Sequence, residues 1–172
     1  SISASIGITE SPRDGRDALA LIQNADAAMY ESKRRANNGW QSYTDDLARR
    51  ERDRLQVDFQ MRGALDNNEI SLLYQPQVDL RSGLVVGAEA LMRWHNPQLG
   101  VMSPDIFISH AESSGEIIRL GAWALREACM QVRRWRDEGH HTVRVAVNVS
   151  YRQFLAGDLA GTVDAALSAA GI

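Results

Sequence analysis

The sequence predicts an α/β fold. Two apolar, strand-like runs, ISLLYQPQVDL and GLVVGAEALMRWH, precede a strongly periodic helix, a third strand-like run, TVRVAVNVS, and a last alanine-rich helix. The chain has 172 residues, of which 44% are hydrophobic, so it can bury a core. Strands that alternate with helices favour a sheet of parallel strands covered by helices.

The amino-terminal part has a different pattern. A short β-like run covers residues 1–9, a turn follows, and residues 17–33 have apolar side chains at helical spacing. Residues 45–54 contain eight charged side chains of mixed sign, and no Gly or Pro lies between residue 45 and Gly63, which predicts a continuous helix over 45–65. We therefore expect three regions: an amino-terminal part at 1–43, a connecting helix at 44–67 and an α/β domain at 68–172.

Residues 117–138 predict the longest helix of the α/β domain. Apolar side chains at helical spacing form a stripe, which predicts the face that the helix buries. The stripe contains Ile118, Ala122, Leu125, Cys129, Val132 and Trp135. Cys129 is therefore expected to be a small core residue, and the four histidines are expected to have structural or solvated roles.

Charge and composition exclude several classes of protein. A net charge of -3 gives no general attraction to nucleic acid polymers or membrane surfaces, and no apolar run reaches the ~20 residues of a membrane span. Cys129 is the single cysteine, which excludes an internal disulfide and fits a reducing cytoplasm. The start, SISASIGITE, is no signal peptide, and we expect a segment of a longer protein whose other regions could anchor it to a membrane.

Strand alternation gathers polar side chains on one face of the α/β domain. Glu89 lies within an apolar run, where a lone carboxylate is costly unless it is paired, hydrogen-bonded or bound to a metal. Alternation puts Glu89 on the same face as Leu91 and Arg93, while Gln75 and Asn148 lie on the polar faces of the first and third strands. In a barrel these faces would make Glu89 and Asn148 neighbours, with Arg93 and Gln75 beside them.

The residue types on this face indicate two alternative roles. Glu89 and Asn148 offer oxygen ligands, which suit Mg²⁺, Mn²⁺ or Ca²⁺ better than zinc, and the planar fork of Arg93 fits phosphate oxygens. A metal beside a phosphate-binding arginine indicates phosphoester chemistry. Alternatively, Glu89 and Arg93 form an internal ion pair and Asn148 caps the next turn. Spacing does not decide between them and, by itself, favours the structural role.

Four motifs in order resemble the first half of an EAL domain, the cyclic di-GMP phosphodiesterase family: YQPQVDL, GAEALMRWHNPQLGVMSPDIFI, HAESSGEII and VAVNVSYRQF. Upstream, SIGI and ADAAMYESKRR resemble the end of a GGDEF domain, the diguanylate cyclase family. The resemblance implies a partial TIM-like (β/α) barrel preceded by the last strand and helix of an α/β GGDEF domain. It also implies cyclic di-GMP as the ligand and allows a homodimer through the EAL domain.

The resemblance implies a role for each matched residue. Glu89 matches the glutamate of the EAL triplet and Asn148 the asparagine of VNxS, which implies that both are catalytic ligands of Mg²⁺ or Mn²⁺. Arg93 is implied to hold a phosphate and Gln75 to line the nucleotide site. Leu91 either borders the nucleotide or packs in the lumen. The family's further metal-binding acids and its water-activating lysine are expected downstream of this chain, which alone should be inactive.

The GGDEF-like part departs from the family pattern. Lys33 matches the family's lysine, but Ala36 and Asn37 stand where glycine and arginine are expected. That arginine helps to hold the triphosphate in the family. The resemblance therefore implies a degenerate GTP-phosphate site at Lys33 and makes cyclase activity doubtful.

These observations lead to one main functional hypothesis and two rivals. The main hypothesis is a bacterial GGDEF–EAL signalling protein whose complete EAL domain hydrolyses cyclic di-GMP to the linear dinucleotide with a divalent metal. The first rival is a catalytically inactive receptor that binds cyclic di-GMP. The second rival is a structural fragment without activity.

Overall fold

The computed structural model describes residues 4–34, 39–141 and 143–172. The chain divides into two compact units, Ser1–Gln56 and Val57–Ile172. Each unit has its own strands and its own buried residues, so each is described by itself.

The first unit is built from two parallel strands and a helix. β1 (Ser5–Ile8) pairs with β2 (Gly39–Ser42), and α1 (Ala18–Arg34) lies between them in the chain. The predicted first strand and helix are confirmed, whereas β2 was missed because four residues with no apolar alternation give too short a signal. Within the described residues α1 reaches Arg34, one residue past the predicted 17–33, and residues 35–38 lie outside the described residues.

The helix predicted over 45–65 is present as α2 (Asp45–Gly63), which has no break over residues 50–59. The Thr44 hydroxyl accepts a hydrogen bond from the Leu47 N–H at 3.2 Å and so caps the amino terminus of the helix. Asp45 and Asp46 lie in the first turn, where the helix dipole favours negative charge. The helix ends at Gly63, two residues before the predicted end at Leu65.

The second unit contains a sheet of β3 (Ile70–Val78), β4 (Val85–Asn96), β5 (Gly100–Met102) and β6 (Arg144–Val147). β4 lies between β3 on one side and β5 and β6 on the other. The prediction of parallel strands is wrong for most of this sheet, because β3 and β5 are antiparallel to β4 and β6 alone is parallel to it. The connection between β3 and β4 is too short for a crossover helix, so the chain forms a hairpin. The barrel stays a proposal.

Four helices complete the second unit. They are α3 (Pro104–Ser114), α4 (Ile117–Asp137), α5 (Tyr151–Leu155) and α6 (Leu159–Ala170). α4 and α6 were predicted, whereas α3 and α5 were missed. No helix in the described part of the chain combines the length and the apolar character that crossing a membrane requires.

The predicted apolar stripe of α4 is displaced from the face that the helix buries. Ile118 is 45% exposed and Cys129 is only partly buried. The residues that the helix does bury are smaller on average than those of the predicted stripe. They are Ile117, Leu120, Gly121, Ala124, Leu125 and Ala128. Glycine and alanine carry little hydrophobic signal, yet they permit the close approach that buries this face.

The core of the second unit lies at the end of β4. Trp94 is fully buried and meets Phe107 edge to face, with ring centroids 6.1 Å apart. Ala88 and Ala90 are also buried on the same face of β4, which therefore faces the core. Glu89 and Arg93 therefore lie on the opposite face, where side chains remain partly accessible.

Candidate active site

The pairing of β3 with β4 brings the predicted site residues to one face of the sheet. Gln75 lies directly opposite Glu89 in the antiparallel register, and directly opposed residues project to the same face. Leu91 and Arg93 follow Glu89 at intervals of two residues and share that face. On the other side of β4, Glu89 is in register with Ala146 of β6, two residues before Asn148.

Glu89 and Asn148 are in direct contact. The Asn148 amide Nδ2 donates a hydrogen bond to Glu89 Oε1 at 2.7 Å, although the two residues are 59 positions apart in the chain. The prediction that they are neighbours is confirmed. The contact also explains how a carboxylate is accommodated within an apolar strand, since it gains a hydrogen-bond donor and keeps partial access to solvent.

The structural alternative for these residues does not match the geometry. In the part of the chain that the structure describes, no ion pair joins Glu89 to Arg93. The guanidinium Nη1 of Arg93 donates instead to the carbonyl oxygen of Met92 at 2.8 Å. The amino-terminal cap of α5 is Ser150 rather than Asn148. Both Asn148 and Arg93 therefore keep donors that a ligand could use.

A cavity of about 420 Å³ lies beside the Glu89–Asn148 contact. Leu91, Arg93 and Asn148 line it, which brings three of the predicted site residues to one concave surface. Glu89 and Gln75 are not part of its lining. The cavity is large enough for part of a nucleotide, and the guanidinium of Arg93 provides a positive charge for a phosphate.

The donor set fits one part of a site for a hard divalent cation. A carboxylate and an amide at hydrogen-bond distance offer oxygen atoms of the kind that Mg²⁺ and Mn²⁺ prefer. Rotation of the Asn148 amide about its last side-chain bond would turn Oδ1 toward Glu89. Among the described residues, no group of three or more His, Cys, Asp or Glu side chains is arranged to hold a metal. Glu89 and Asn148 would thus need further ligands.

Sequence reasoning missed two polar residues in the wall of the cavity. Ser150 Oγ donates to Glu112 Oε1 at 2.6 Å, and both residues line the cavity. Ser150 and Gln153 form a capping box, whose S-x-x-Q pattern was readable in the sequence. Glu112 gave no comparable signal because its partner is 38 residues away.

The sequence also predicted roles for Lys33, the histidines and Cys129. Lys33 lies exposed near the end of α1, while Ala36 and Asn37 lie outside the described residues. His110 Nδ1 lies 2.8 Å from Asp58 Oδ1, and both side chains are largely buried, which agrees with a structural role for this histidine. Burial raises the pKa of the Cys129 thiol, so this cysteine stays protonated at neutral pH.

Comparison with known proteins identifies the family. The EAL domain family model matches residues 59–172. This chain belongs to the EAL domain family. The match begins within α2 and includes the whole sheet of the second unit, so the EAL domain contains all the residues of the candidate site.

Curated relatives of this EAL domain are signalling proteins. This chain is 42% identical over 166 residues to the bifunctional diguanylate cyclase/cyclic di-GMP phosphodiesterase MucR of Pseudomonas aeruginosa, a match that covers 96% of this chain and 24% of MucR. It is 42% identical over 151 residues to the cyclic di-GMP phosphodiesterase PdeR of Escherichia coli, a match that covers 88% of this chain and 22% of PdeR. The chain therefore spans about a quarter of the length of these relatives.

A solved structure, PaMucR phosphodiesterase in complex with c-di-GMP, has a similar fold. It is 40% identical to this chain, with a TM-score of 0.66, and the match covers 68% of this chain and 47% of that one. This similarity agrees with the EAL-type α/β fold of the second unit.

Proposed function

We propose that this EAL domain belongs to a longer protein that hydrolyses cyclic di-GMP to the linear dinucleotide with a divalent metal. The observation that carries the proposal is the contact between Glu89 and Asn148 beside a cavity that Arg93 lines. A carboxylate and an amide can hold a hard cation, and an arginine close by can hold a phosphate. Metal-assisted hydrolysis of a phosphoester uses both kinds of group.

Each residue has a distinct part in this proposal. Glu89 and Asn148 hold Mg²⁺ or Mn²⁺ through their oxygen atoms, and Glu89 supplies the negative charge. A bound cation of this kind lowers the pKa of water and stabilises charge that develops at phosphorus. Arg93 binds a phosphate of the dinucleotide, while Gln75 and Leu91 border its bases or sugars.

The names of the relatives support cyclic di-GMP as the substrate. PdeR is a cyclic di-GMP phosphodiesterase, and MucR combines that activity with a diguanylate cyclase. The structure of PaMucR contains c-di-GMP. Because this chain covers only 24% of MucR and 22% of PdeR, the proposal concerns the full-length protein.

We also propose that the first unit is the end of a GGDEF domain. The regions would be a GGDEF part at 1–43, a connecting helix at 44–67 and the first half of an EAL barrel at 68–172. The similarity to MucR supports this division, since it extends over 166 residues and thus well beyond the EAL match at 59–172. Lys33 would belong to a degenerate GTP-phosphate site. A cytoplasmic location and a homodimer through the EAL domain follow from the same hypothesis.

The proposal is tested by assaying hydrolysis of cyclic di-GMP by the full-length protein with Mn²⁺, with Mg²⁺ and with excess chelator. We expect turnover with either metal and none with chelator. Glu89→Ala should abolish turnover, because it removes the charged ligand, and Asn148→Ala should reduce it less, because no charge is lost. The matched control is Glu138→Ala, which removes an exposed carboxylate beyond the end of α4.

Two results separate the proposal from its rivals. Full activity of the Glu89→Ala protein, or turnover that chelator does not diminish, would refute it. Binding of cyclic di-GMP without any turnover in the wild-type protein would favour the inactive receptor instead.

A further inference from the structure

Asn148 lies in the loop after β6, and strand pairing does not fix the position of this loop. β6 ends at Val147, which is in register with Ala90 of β4, so Asn148 lies beyond the last paired residue. Asn148 is exposed, and its side chain contacts Glu89. A ligand that must meet Glu89 at a defined distance needs a more rigid support than this single contact.

Ser150 connects this loop to α4. The Ser150 N–H donates to Gln153 Oε1 at 3.0 Å, and its Oγ accepts from the Arg152 N–H at 3.3 Å, which completes the amino-terminal cap of α5. Gln153 is buried and lies against Gly121 of α4, where an added Cβ would come within 1.9 Å of Gln153 Nε2. The side chain of Gln153 therefore occupies space that any residue other than glycine at position 121 would fill.

A second connection comes from α3. Ser150 Oγ donates to Glu112 Oε1 at 2.6 Å, which is the length of a charge-assisted O–H···O⁻ bond. Glu112 directly follows Ala111, which is fully buried in the core with Phe107. The carboxylate thus extends from a rigid helix, and it lines the same cavity as Asn148.

We propose that Glu112 is a positioning residue for the cation site. By holding Ser150, it fixes the loop that presents Asn148 to Glu89 in the geometry that a divalent cation needs. The inference rests on the proposed function, because it takes Glu89 and Asn148 to be metal ligands. Loss of a partner that orients a ligand typically weakens metal affinity ~10–100-fold.

The test measures Mn²⁺ affinity by electron paramagnetic resonance, in the full-length protein and without substrate. Glu112→Ala should weaken binding about 10–100-fold. Glu112→Gln should bind Mn²⁺ nearly as well as the wild type, since the amide oxygen can still accept the Ser150 hydroxyl. Thermal unfolding of both variants, measured in the absence of metal, verifies that the fold is retained.

Ser150→Ala removes the other half of the contact and should weaken Mn²⁺ binding to a similar extent. The double variant of Glu112→Ala and Ser150→Ala should bind no more weakly than either single variant, because both remove the same interaction. Ser113→Ala is the matched serine control, since its hydroxyl donates to the His110 carbonyl within α3. Glu138→Ala is the matched carboxylate control.

The following outcomes would overturn the inference or its basis. Unchanged Mn²⁺ affinity in Glu112→Ala overturns the positioning role. An equal loss in Glu112→Gln and Glu112→Ala also overturns it, because the charge itself would then bind the metal. A Glu89→Ala protein that keeps full Mn²⁺ affinity overturns the proposed function, whereas loss in Glu89→Ala with no change in Glu112→Ala overturns the inference alone.

Discussion

At the scale of single residues, the site depends on side chains that meet across long stretches of chain. Strand alternation put Glu89 and Asn148 each on the polar face of a strand, and the assumption of a barrel then predicted that they are neighbours. The contact between Ser150 and Glu112 could not be predicted, since Glu112 is on a helix that no pattern had indicated and its partner is distant in sequence. Periodicity identifies a face but not a partner on another element.

Arg93 should contribute to substrate binding more than to the chemical step. Arg93→Ala removes a charge-assisted bond to phosphate, and hydrogen bonds to charged groups are worth ~1.5–3 kcal/mol. We therefore expect KM for cyclic di-GMP to rise about 10–150-fold with a much smaller change in kcat. Steady-state kinetics of the full-length protein tests this, with Arg81→Ala in the exposed β3–β4 turn as the control. A fall in kcat at unchanged KM would contradict the assignment.

Glu69 should make the second unit sensitive to acid. Burial raises the pKa of its carboxyl, but hydrogen bonds from Trp94, Asn96 and Asn67 outweigh burial, so its pKa lies below the ordinary value. The Glu69 carboxylate therefore contributes fully to the free energy of unfolding above its unfolded-state pKa of ~4.3. This contribution is lost as the pH falls through the lower pKa of the folded state.

Glu69→Gln removes this titration. The melting temperature of the variant should fall less steeply than that of the wild type between about pH 4.3 and more acidic values. At neutral pH the variant should be less stable, because the buried Trp94 indole would donate to a neutral amide oxygen, a bond worth ~0.5–1.5 kcal/mol, in place of a carboxylate, a bond worth ~1.5–3 kcal/mol. Calorimetry across this pH range, with Glu138→Gln as control, measures both effects. If the melting temperatures of the wild type and Glu69→Gln fell equally steeply with pH, the role of Glu69 would be contradicted.

At the scale of elements, length and periodicity decided what could be predicted. α4 was predicted nearly to its ends because its 21 residues repeat the helical pattern. β5 and α5 were missed because three and five residues are too few to show a period. β3 and β4 were predicted to be parallel, as in a chain where strands alternate with helices. Only a short turn joins these two strands, so they pair as an antiparallel hairpin.

Gly7 is required for the close approach of β1 to α1. A Cβ at Gly7 would lie 1.8 Å from the Ala25 carbonyl oxygen and 2.5 Å from the Met29 nitrogen, both of which are backbone atoms. Gly7→Ala must therefore separate the strand from the helix, and we expect a loss of ~1–3 kcal/mol in the stability of the first unit.

Hydrogen exchange measured by mass spectrometry tests this expectation. In Gly7→Ala, amides of β1 and α1 should exchange faster, while those of β4 should be unchanged. Gly63→Ala is the matched control, since its added Cβ would meet only the flexible side chain of Asn67. Unchanged exchange in β1 would contradict the contact.

At the scale of the whole molecule, the motifs predicted more than the physical patterns did. Alternation and charge predicted an α/β domain and a helix before it, but they left the role of Glu89 open. The order of four motifs predicted the EAL family, which the match over residues 59–172 confirms. The identity of the first unit stays a prediction, since the family match begins only at residue 59.

The full-length protein should make little cyclic di-GMP. Asn37 stands where the family resemblance places an arginine, and an uncharged amide cannot form the charge-assisted bidentate bond to a phosphate. The measurement is synthesis of cyclic di-GMP from GTP by the Glu89→Ala protein, in which hydrolysis should be absent. Restoring the arginine by Asn37→Arg is the informative companion variant. Robust synthesis by the protein with Asn37 would contradict this prediction.

The most direct test of the account is to locate the metal. Crystals of the full-length protein grown with Mn²⁺ and cyclic di-GMP should give an anomalous peak at ~2.0–2.3 Å from a carboxylate oxygen of Glu89 and from Oδ1 of Asn148. The amide of Asn148 should then have turned its oxygen toward Glu89. An Mn²⁺ peak elsewhere, with Asn148 Nδ2 still bonded to Glu89, would contradict the central claim that these two residues hold the cation.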